Sequence, residues 1–451
     1  MNTHITEFKA RREQLLTSMG QGVAILFNAP EVIRNRDSHY AYRFDSYFYY
    51  LTGFKEPKSV LVLIAGDTPK SILFCRDKDI EREIWDGFRY GAAAAREIFV
   101  FDEAYSINEL DAVLVKLLAN QPKLYFSLSE SAVDDARVMT CLKSLRTQAR
   151  HGLSAPHEIA DVRDLLDEMR LYKSNYEINL MRRSANIAAG AHNRAMQYAK
   201  AGMMEYQVEA EFLHEFYRHG AQAPAYTSIV ASGANACTLH YNANNAQLNN
   251  GDLLLIDAGC ELDGYASDIT RTFPINGKFT AAQKDLYELV LSAQLAAIAQ
   301  VKIGNHWNAA HEAALDVLVQ GFIDFKLCKG SKDAVLETGD YRQFYMHRTG
   351  HWLGLDVHDA GEYKQTNAQA KSQHKAQDKQ ANWRMLQANM TLTVEPGCYI
   401  RPADHVPQHF WNIGIRIEDD VLVTPHGAEV LTASAVKSVA DIEALMRVAA
   451  E

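Results

Sequence analysis

The sequence predicts two joined folds: an α/β first part, and a second part in which helices pack on a mixed or antiparallel sheet. Three observations carry that reading. Short apolar runs alternate with polar, helix-compatible stretches early in the chain. Two capping boxes open long helices in the later part. The strands of that later part are either continuously apolar or alternating. At 451 residues the chain is also longer than one ordinary core serves.

The elements follow in order. Gly22–Phe27, Ser59–Ile64, Ser71–Phe74 and Leu124–Leu128 are expected strands, with Asp77–Trp85 and Ser106–Ala119 helical between them. Breakers from Arg150 to Pro156, then a short charged helix over Ile159–Leu171, mark a boundary, so residues 1–172 and 173–451 are taken as the domains. Ser174 and Glu177 form a capping box for a helix toward Ala199. The next helix, Glu205–His219, is stopped by Gly220. Thr280 with Gln283 opens another toward Val301, and Trp307–Phe325 is a further helical stretch. Asp252–Ile256 is a strand buried on both faces, Tyr265–Phe273 alternates, and Met390–Val394 and Ile413–Ile417 complete the set. Lys364–Asn382 is poor in large apolar residues and reads as an exposed insertion.

Composition excludes several function classes. Apolar residues make up 47% and charged residues 23%, enough for a sizeable core. The net charge of −10, with both signs interspersed, offers no basic face for nucleic acid. Glu7, Lys9, Arg11, Arg12 and Glu13 interrupt any apolar leader, and no run is long enough to cross a bilayer. Cys75, Cys141, Cys237, Cys260, Cys328 and Cys398 lack paired spacing, as expected of reduced thiols in a cytoplasm.

The chemistry gathers in the second part. Asp257 ends the apolar run LLLI, where an uncompensated carboxylate is costly. Asp268 follows in YASDITRTF, and a turn at Leu262-Asp263-Gly264 would set the two side by side. Alone, this pair is better read as a turn cap and an Asp268–Arg271 ion pair. His347, His351 and His358 cluster around Gly350 and Gly354; Arg348 stands where a zinc-protease helix would carry its Glu. Glu395, in LTVEPG, and Glu418, in GIRIEDD, each follow a strand-like run; Arg416 is close enough in sequence to serve Glu418. Together, four carboxylates and one imidazole suit a pair of divalent cations, Mn²⁺ best, then Co²⁺, Fe²⁺ or Zn²⁺. Two such ions roughly 3.5–4 Å apart can hold a shared hydroxide and polarise a carbonyl.

In this order the motifs resemble the creatinase/aminopeptidase superfamily, and within it the Xaa-Pro aminopeptidase (aminopeptidase P) branch. The resemblance spans nearly the whole chain: RNRDSHYAYRFDSYFYYLTGFKEP (Arg34–Pro57), EIWDGFRYG (Glu83–Gly91), MRLYKS (Met169–Ser174), then the motifs around Asp257, His351, Glu395 and Glu418. It implies an α/β N-terminal domain before an α+β "pita-bread" catalytic domain. It implies removal of the residue preceding proline from peptide N-termini by a hydroxide bridging two metal ions. Asp257 would chelate one metal, Asp268 and Glu418 would bridge, and His351 and Glu395 would complete the other site. Glu395 would shuttle the proton, and His240 and His358 would hydrogen-bond substrate and intermediate. His347 would line the proline pocket and Tyr226 would help shape the substrate site, while Arg416 would approach the cleft and pair with Asp37. Trp85 would reach a neighbouring subunit's site in a dimer or tetramer.

Three alternatives share these motifs. A prolidase would cleave only Xaa-Pro dipeptides, and a creatinase-like enzyme would turn over creatine. A non-catalytic peptide-binding module would be expected to have lost ligands, whereas all five are intact here.

Overall fold

The computed structural model describes residues 4–365 and 382–448. The chain divides into two compact units, Met1–Met169 and Arg170–Glu451.

In the first unit the strands are β1 (Gly22–Phe27), β2 (Ile33–Asn35), β3 (Ser38–His39), β4 (Val60–Ala65), β5 (Lys70–Cys75), β6 (Glu103–Ser106), β7 (Lys123–Tyr125) and β8 (Glu158–Ala160). The helices are α1 (Ile5–Met19), α2 (Ser46–Thr52), α3 (Ile80–Asp86), α4 (Gly91–Phe99), α5 (Leu110–Leu118) and α6 (Ala132–Thr147), and α7 (Arg163–Leu171) leads into the second unit. A six-stranded mixed sheet runs β6-β5-β4-β1-β7-β8. Val23, Ile25, Val62, Ile72 and Phe74 pack with Leu114, Leu118, Val138 and Leu142 of α5 and α6. The opposite face is covered as well, with α1 against β4 and α4 against β5. Burial on both faces explains why these strands read as unbroken apolar runs. The α/β expectation holds here, with one correction. Ile159 and Ala160, expected to begin a helix, lie in β8, which pairs in parallel with β7. The turn that follows is fixed by Asp161, whose carboxylate accepts from Arg163 N–H at 2.9 Å, so the helix starts only at Arg163.

The second unit has helices α8 (Asn175–Tyr198), α9 (Glu205–Arg218), α10 (Ala281–Ile298), α11 (Ala309–Asp324), α12 (Lys332–Thr338) and α13 (Val439–Val448). Its strands are β9 (Ala223–Pro224), β10 (Ile229–Ser232), β11 (Leu253–Asp257), β12 (Cys260–Leu262), β13 (Tyr265–Ala266), β14 (Thr270–Pro274), β15 (Thr391–Val394), β16 (Gly397–Ile400), β17 (Ile413–Arg416), β18 (Asp419–Thr424) and β19 (Gly427–Val430). Both capping boxes form, Ser174 with Glu177 and Thr280 with Gln283. Among the described residues the strand pairs of this unit are antiparallel. A buried alanine face on α8 (Ala185, Ala188, Ala189, Ala195) lets that helix approach the strands closely. There Ser184 Oγ donates to Cys260 O at 2.9 Å. Phe212, Val230, Leu254, Ile256, Phe273, Val290 and Leu318 join the helices to the strands in one core.

The expected continuous strand Tyr265–Phe273 is instead broken into β13 and β14. Ser267 N–H turns to Cys260 O (3.0 Å), and Ala258 N–H bonds Ile269 O (3.0 Å). That break places Asp268 beside the end of β11. Residues 366–381 of the expected insertion lie outside the described residues; on its flanks Gln365 N–H donates to Asn382 O at 2.7 Å. No helix among the described residues is long and apolar enough to cross a membrane.

Candidate active site

Ten of the twelve residues singled out from sequence line one cleft of about 410 Å³ in the second unit: Tyr226, His240, Asp257, Asp268, His347, His351, His358, Glu395, Arg416 and Glu418. Asp37 and Trp85 belong to the first unit, where both are exposed.

The strands explain the convergence. Asp257, at the end of β11, stands opposite Thr270 in the ladder with β14. Glu418 follows β17, and its N–H donates to Thr270 O at 3.1 Å. Its carboxylate accepts from Thr270 Oγ1 at 2.8 Å. The histidine segment runs along β15: Thr393 N–H bonds His351 O (2.9 Å) and Glu395 N–H bonds Thr349 O (2.8 Å). That approach needs a glycine, because a Cβ on Gly350 would stand 2.1 Å from Thr393 O. The expected Asp268–Arg271 pair does not form. Arg271 is fully buried and binds Asp419 at 2.6 Å, while it donates to Glu418 O at 2.5 Å. Arg416 binds Asp257 Oδ2 at 2.6 Å.

The electrostatics of the cleft call for cations. Burial, reinforced by Asp268, Glu395 and Asp257, holds the Glu418 carboxyl well above the usual carboxylate range. Burial raises Asp268 as well, against the pull of His351. Glu395 is pushed up by burial to about 7 although His351 and Arg416 oppose the shift. Burial would lower His351, yet its hydrogen bond to Asp268 and the charges of Asp268 and Glu395 lift it to about 9. Tyr226 donates to Asp257 Oδ1 at 2.6 Å and also meets Asp268 Oδ1, so one hydroxyl serves two carboxylates.

The donor set fits divalent metal. Ligand atoms of Asp268, His351 and Glu418 lie within 4.8 Å of one another. His351 Nδ1–H donates to Trp352 O at 3.0 Å, which leaves Nε2 aimed at the carboxylates, 3.4 Å from Asp268.

One member of the site carried no mark in the sequence. Tyr399 of β16 accepts from Arg416 Nη1 at 2.9 Å and donates to His347 Nε2 at 2.8 Å, while His347 Nδ1–H donates to Arg348 O at 2.7 Å. Both imidazole nitrogens are thus engaged, and burial with nearby Arg416 depresses His347 to about 3, so the ring is neutral. Tyr399 sits in GCYI, where its pattern is that of any buried strand residue. Cys260 and Cys398, a few residues after Asp257 and Glu395, are fully buried and burial raises both thiols, which marks them as packing residues.

Known proteins decide the kinship. The model of metallopeptidase family M24 matches residues 179–425, and that of the aminopeptidase P N-terminal domain matches residues 8–125. The Xaa-Pro aminopeptidase of Escherichia coli K12 is 44% identical over 443 residues, covering 98% of this chain and 97% of that protein. The chain belongs to metallopeptidase family M24. Among solved members, aminopeptidase PepP of Pseudomonas aeruginosa superposes with a TM-score of 0.94 at 46% identity, over 99% of this chain and 98% of that one. A zinc-substituted E. coli aminopeptidase P holding product gives 0.93 at 44%, over 99% and 98%. The M24 architecture is therefore an aminopeptidase P-type N-terminal domain followed by a pita-bread catalytic domain, and M24 membership makes divalent metal part of the site.

Proposed function

We infer that this M24 peptidase is an Xaa-Pro aminopeptidase, which releases the N-terminal residue of peptides that carry proline second. The observation that carries this is full-length kinship with Xaa-Pro aminopeptidases, joined to a cleft whose carboxylates and histidines converge as that activity needs. We assign Asp257, Asp268, His351, Glu395 and Glu418 to hold two divalent ions, with Mn²⁺ first by donor chemistry. When bound, such ions lower the pKa of water and polarise the scissile carbonyl.

The chain's own groups do the rest. Glu395 is placed to accept the proton of the attacking water and pass it to the departing proline nitrogen. His240 and His358 hydrogen-bond the substrate and the developing oxyanion. His347, neutral and held by Tyr399, offers a flat wall to the proline ring. Arg416 steadies both Asp257 and Tyr399. Tyr226 shapes the substrate end. Asp37 and Trp85 are assigned to substrate contact on resemblance. We place the functional boundary at 172/173, the protein in the cytoplasm, and the working form as a homo-dimer or tetramer.

A peptide panel tests this. Xaa-Pro-Yaa, Xaa-Ala-Yaa and Xaa-Pro are incubated with Mn²⁺ and with chelator. Cleavage of Xaa-Pro-Yaa in Mn²⁺ alone is expected, with Xaa-Ala-Yaa resistant. Cleavage of the dipeptide only, or activity that survives complete metal removal, refutes the reading.

A further inference from the structure

The segment that bears His240 is irregular. Between β10 and β11 the chain forms one 3₁₀ turn, Gly233–Cys237, and otherwise no regular element. Leu239, His240 and Asn242 nevertheless line the cleft. The segment's backbone pairs at one bridge, Gln247 opposite Met204, and a loop so sparsely paired cannot fix a side chain to a fraction of an ångström unless other groups hold it.

Glu205, the first residue of α9, supplies the part of that hold nearest His240, beside buried Asn244, which bonds Val230 N–H, Ser228 O and Glu209. Glu205 is fully buried, and its carboxylate is met from the last residue of β10 and from this segment. Oε1 accepts from Ser232 N–H at 2.7 Å, Ser232 Oγ at 2.7 Å and Asn235 Nδ2 at 3.1 Å. Oε2 accepts from the Tyr241 hydroxyl at 2.7 Å and Ala246 N–H at 2.9 Å. Glu205 N–H donates to Ala246 O at 2.9 Å. The donors bracket His240 on both sides, and Tyr241 is its immediate neighbour. Tyr241 reaches inward to Glu205 while His240 faces the cleft.

We propose that Glu205 is a positioning residue of the peptidase: it does not line the cleft, and it acts by fixing the Ser232–Ala246 loop so that His240 meets the substrate. An apolar plug could fill the same volume, but five directional bonds to one carboxylate define where the loop runs. The proposal rests on the assignment of His240 to the substrate.

A double-mutant cycle tests both, separately. kcat and KM on an Xaa-Pro-Yaa tripeptide are measured for the metal-loaded wild type, Glu205→Gln, His240→Ala and the double variant, with melting temperatures alongside. His240→Ala is expected to lower kcat/KM; if it does not, the assignment of His240 falls. Glu205→Gln places an amide N–H₂ against donors. It is expected to lower kcat/KM about tenfold when His240 is present and less than about twofold when it is absent. Equal losses in both backgrounds overturn the positioning role. Tyr241→Phe, which removes one of the five donors, runs the same cycle with a smaller expected loss and decides the matter if Glu205→Gln does not fold. If His240→Ala falls below detection, the His240 imidazole NMR resonance, identified by its loss in that variant, is followed instead. It should shift or split in Tyr241→Phe and Glu205→Gln, and an unmoved resonance overturns the proposal.

Discussion

Asp359 offers the most exacting test of how this cleft is built. Its side chain is 1% exposed and lies between two cations of equal burial, Lys173 Nζ at 2.9 Å and Arg170 Nη2 at 2.6 Å. Burial would raise its pKa, but Lys173 and Arg170 outweigh burial and hold it below the usual carboxylate range. Its backbone N–H donates to Trp352 O at 2.9 Å, which closes the turn between His351 and His358. Asp359→Asn keeps the shape and removes the charge, so buried Lys173 loses its counter-ion and buried Arg170 keeps only the half-exposed Asp356. Breaking a buried pair in this way costs about 3–5 kcal/mol. A unit of this size loses about 2 °C per kcal/mol, so a fall of roughly 6–10 °C is expected. Scanning calorimetry of the full chain in chelator reads the transition without metal stabilisation. Asp356→Asn is the control: Asp356 binds the same Arg170 at 2.7 Å but is 40% exposed. It should cost less than about 1 kcal/mol. If Asp359→Asn melts within about 2 °C of wild type, or Asp356→Asn is equally harmful, burial is not what makes this cluster matter.

Two further outcomes are expected. His192 is fully buried, donates to Ala258 O at 2.9 Å, and is depressed by burial to about 3. The unfolded chain therefore takes up a proton near pH 6.5 that the folded chain refuses. Stability should fall by up to about 1.4 kcal/mol per pH unit from 6.5 down toward 3, with no effect above 7. His192→Gln should flatten the melting-temperature profile below pH 6.5, and parallel profiles throughout would sink the idea. Gly259→Ala would put a Cβ 1.7 Å from Ser267 O, forcing apart the segments that carry Asp257 and Asp268. Metal analysis should find binding weakened more than about tenfold. Gly190→Ala on α8, where nothing lies within 4 Å, should be neutral or stabilising; wild-type metal binding by Gly259→Ala refutes the steric argument.

How much of the site could be read in advance is best judged at Glu418 and Asp419. Period-2 alternation in GIRIEDD tells that neighbouring side chains face opposite ways, and the apolar run tells that the segment is buried. Both were legible, as were the capping boxes and most strands, because these depend on local pattern. What stands opposite each carboxylate depends on chain from far away. Behind Asp419 lie Arg271 at 2.6 Å and Lys437 at 2.6 Å, and they bring a fully buried carboxyl down to about 2. In front of Glu418 lie Asp268, Glu395 and Asp257, and its pKa moves the other way. Adjacent residues of the same chemistry and burial thus end with opposite shifts, so burial alone cannot tell a metal ligand from half of an ion pair. Arg271 shows the limit from the other side: its nearness in sequence to Asp268 suggested a pair that the break between β13 and β14 forbids. Tyr399 and Glu205 were illegible for the same reason, since each matters through partners that lie far off in sequence. Which of two neighbouring buried carboxyls meets cations of the fold's own, as Asp419 does, can be read only after the strands are in register.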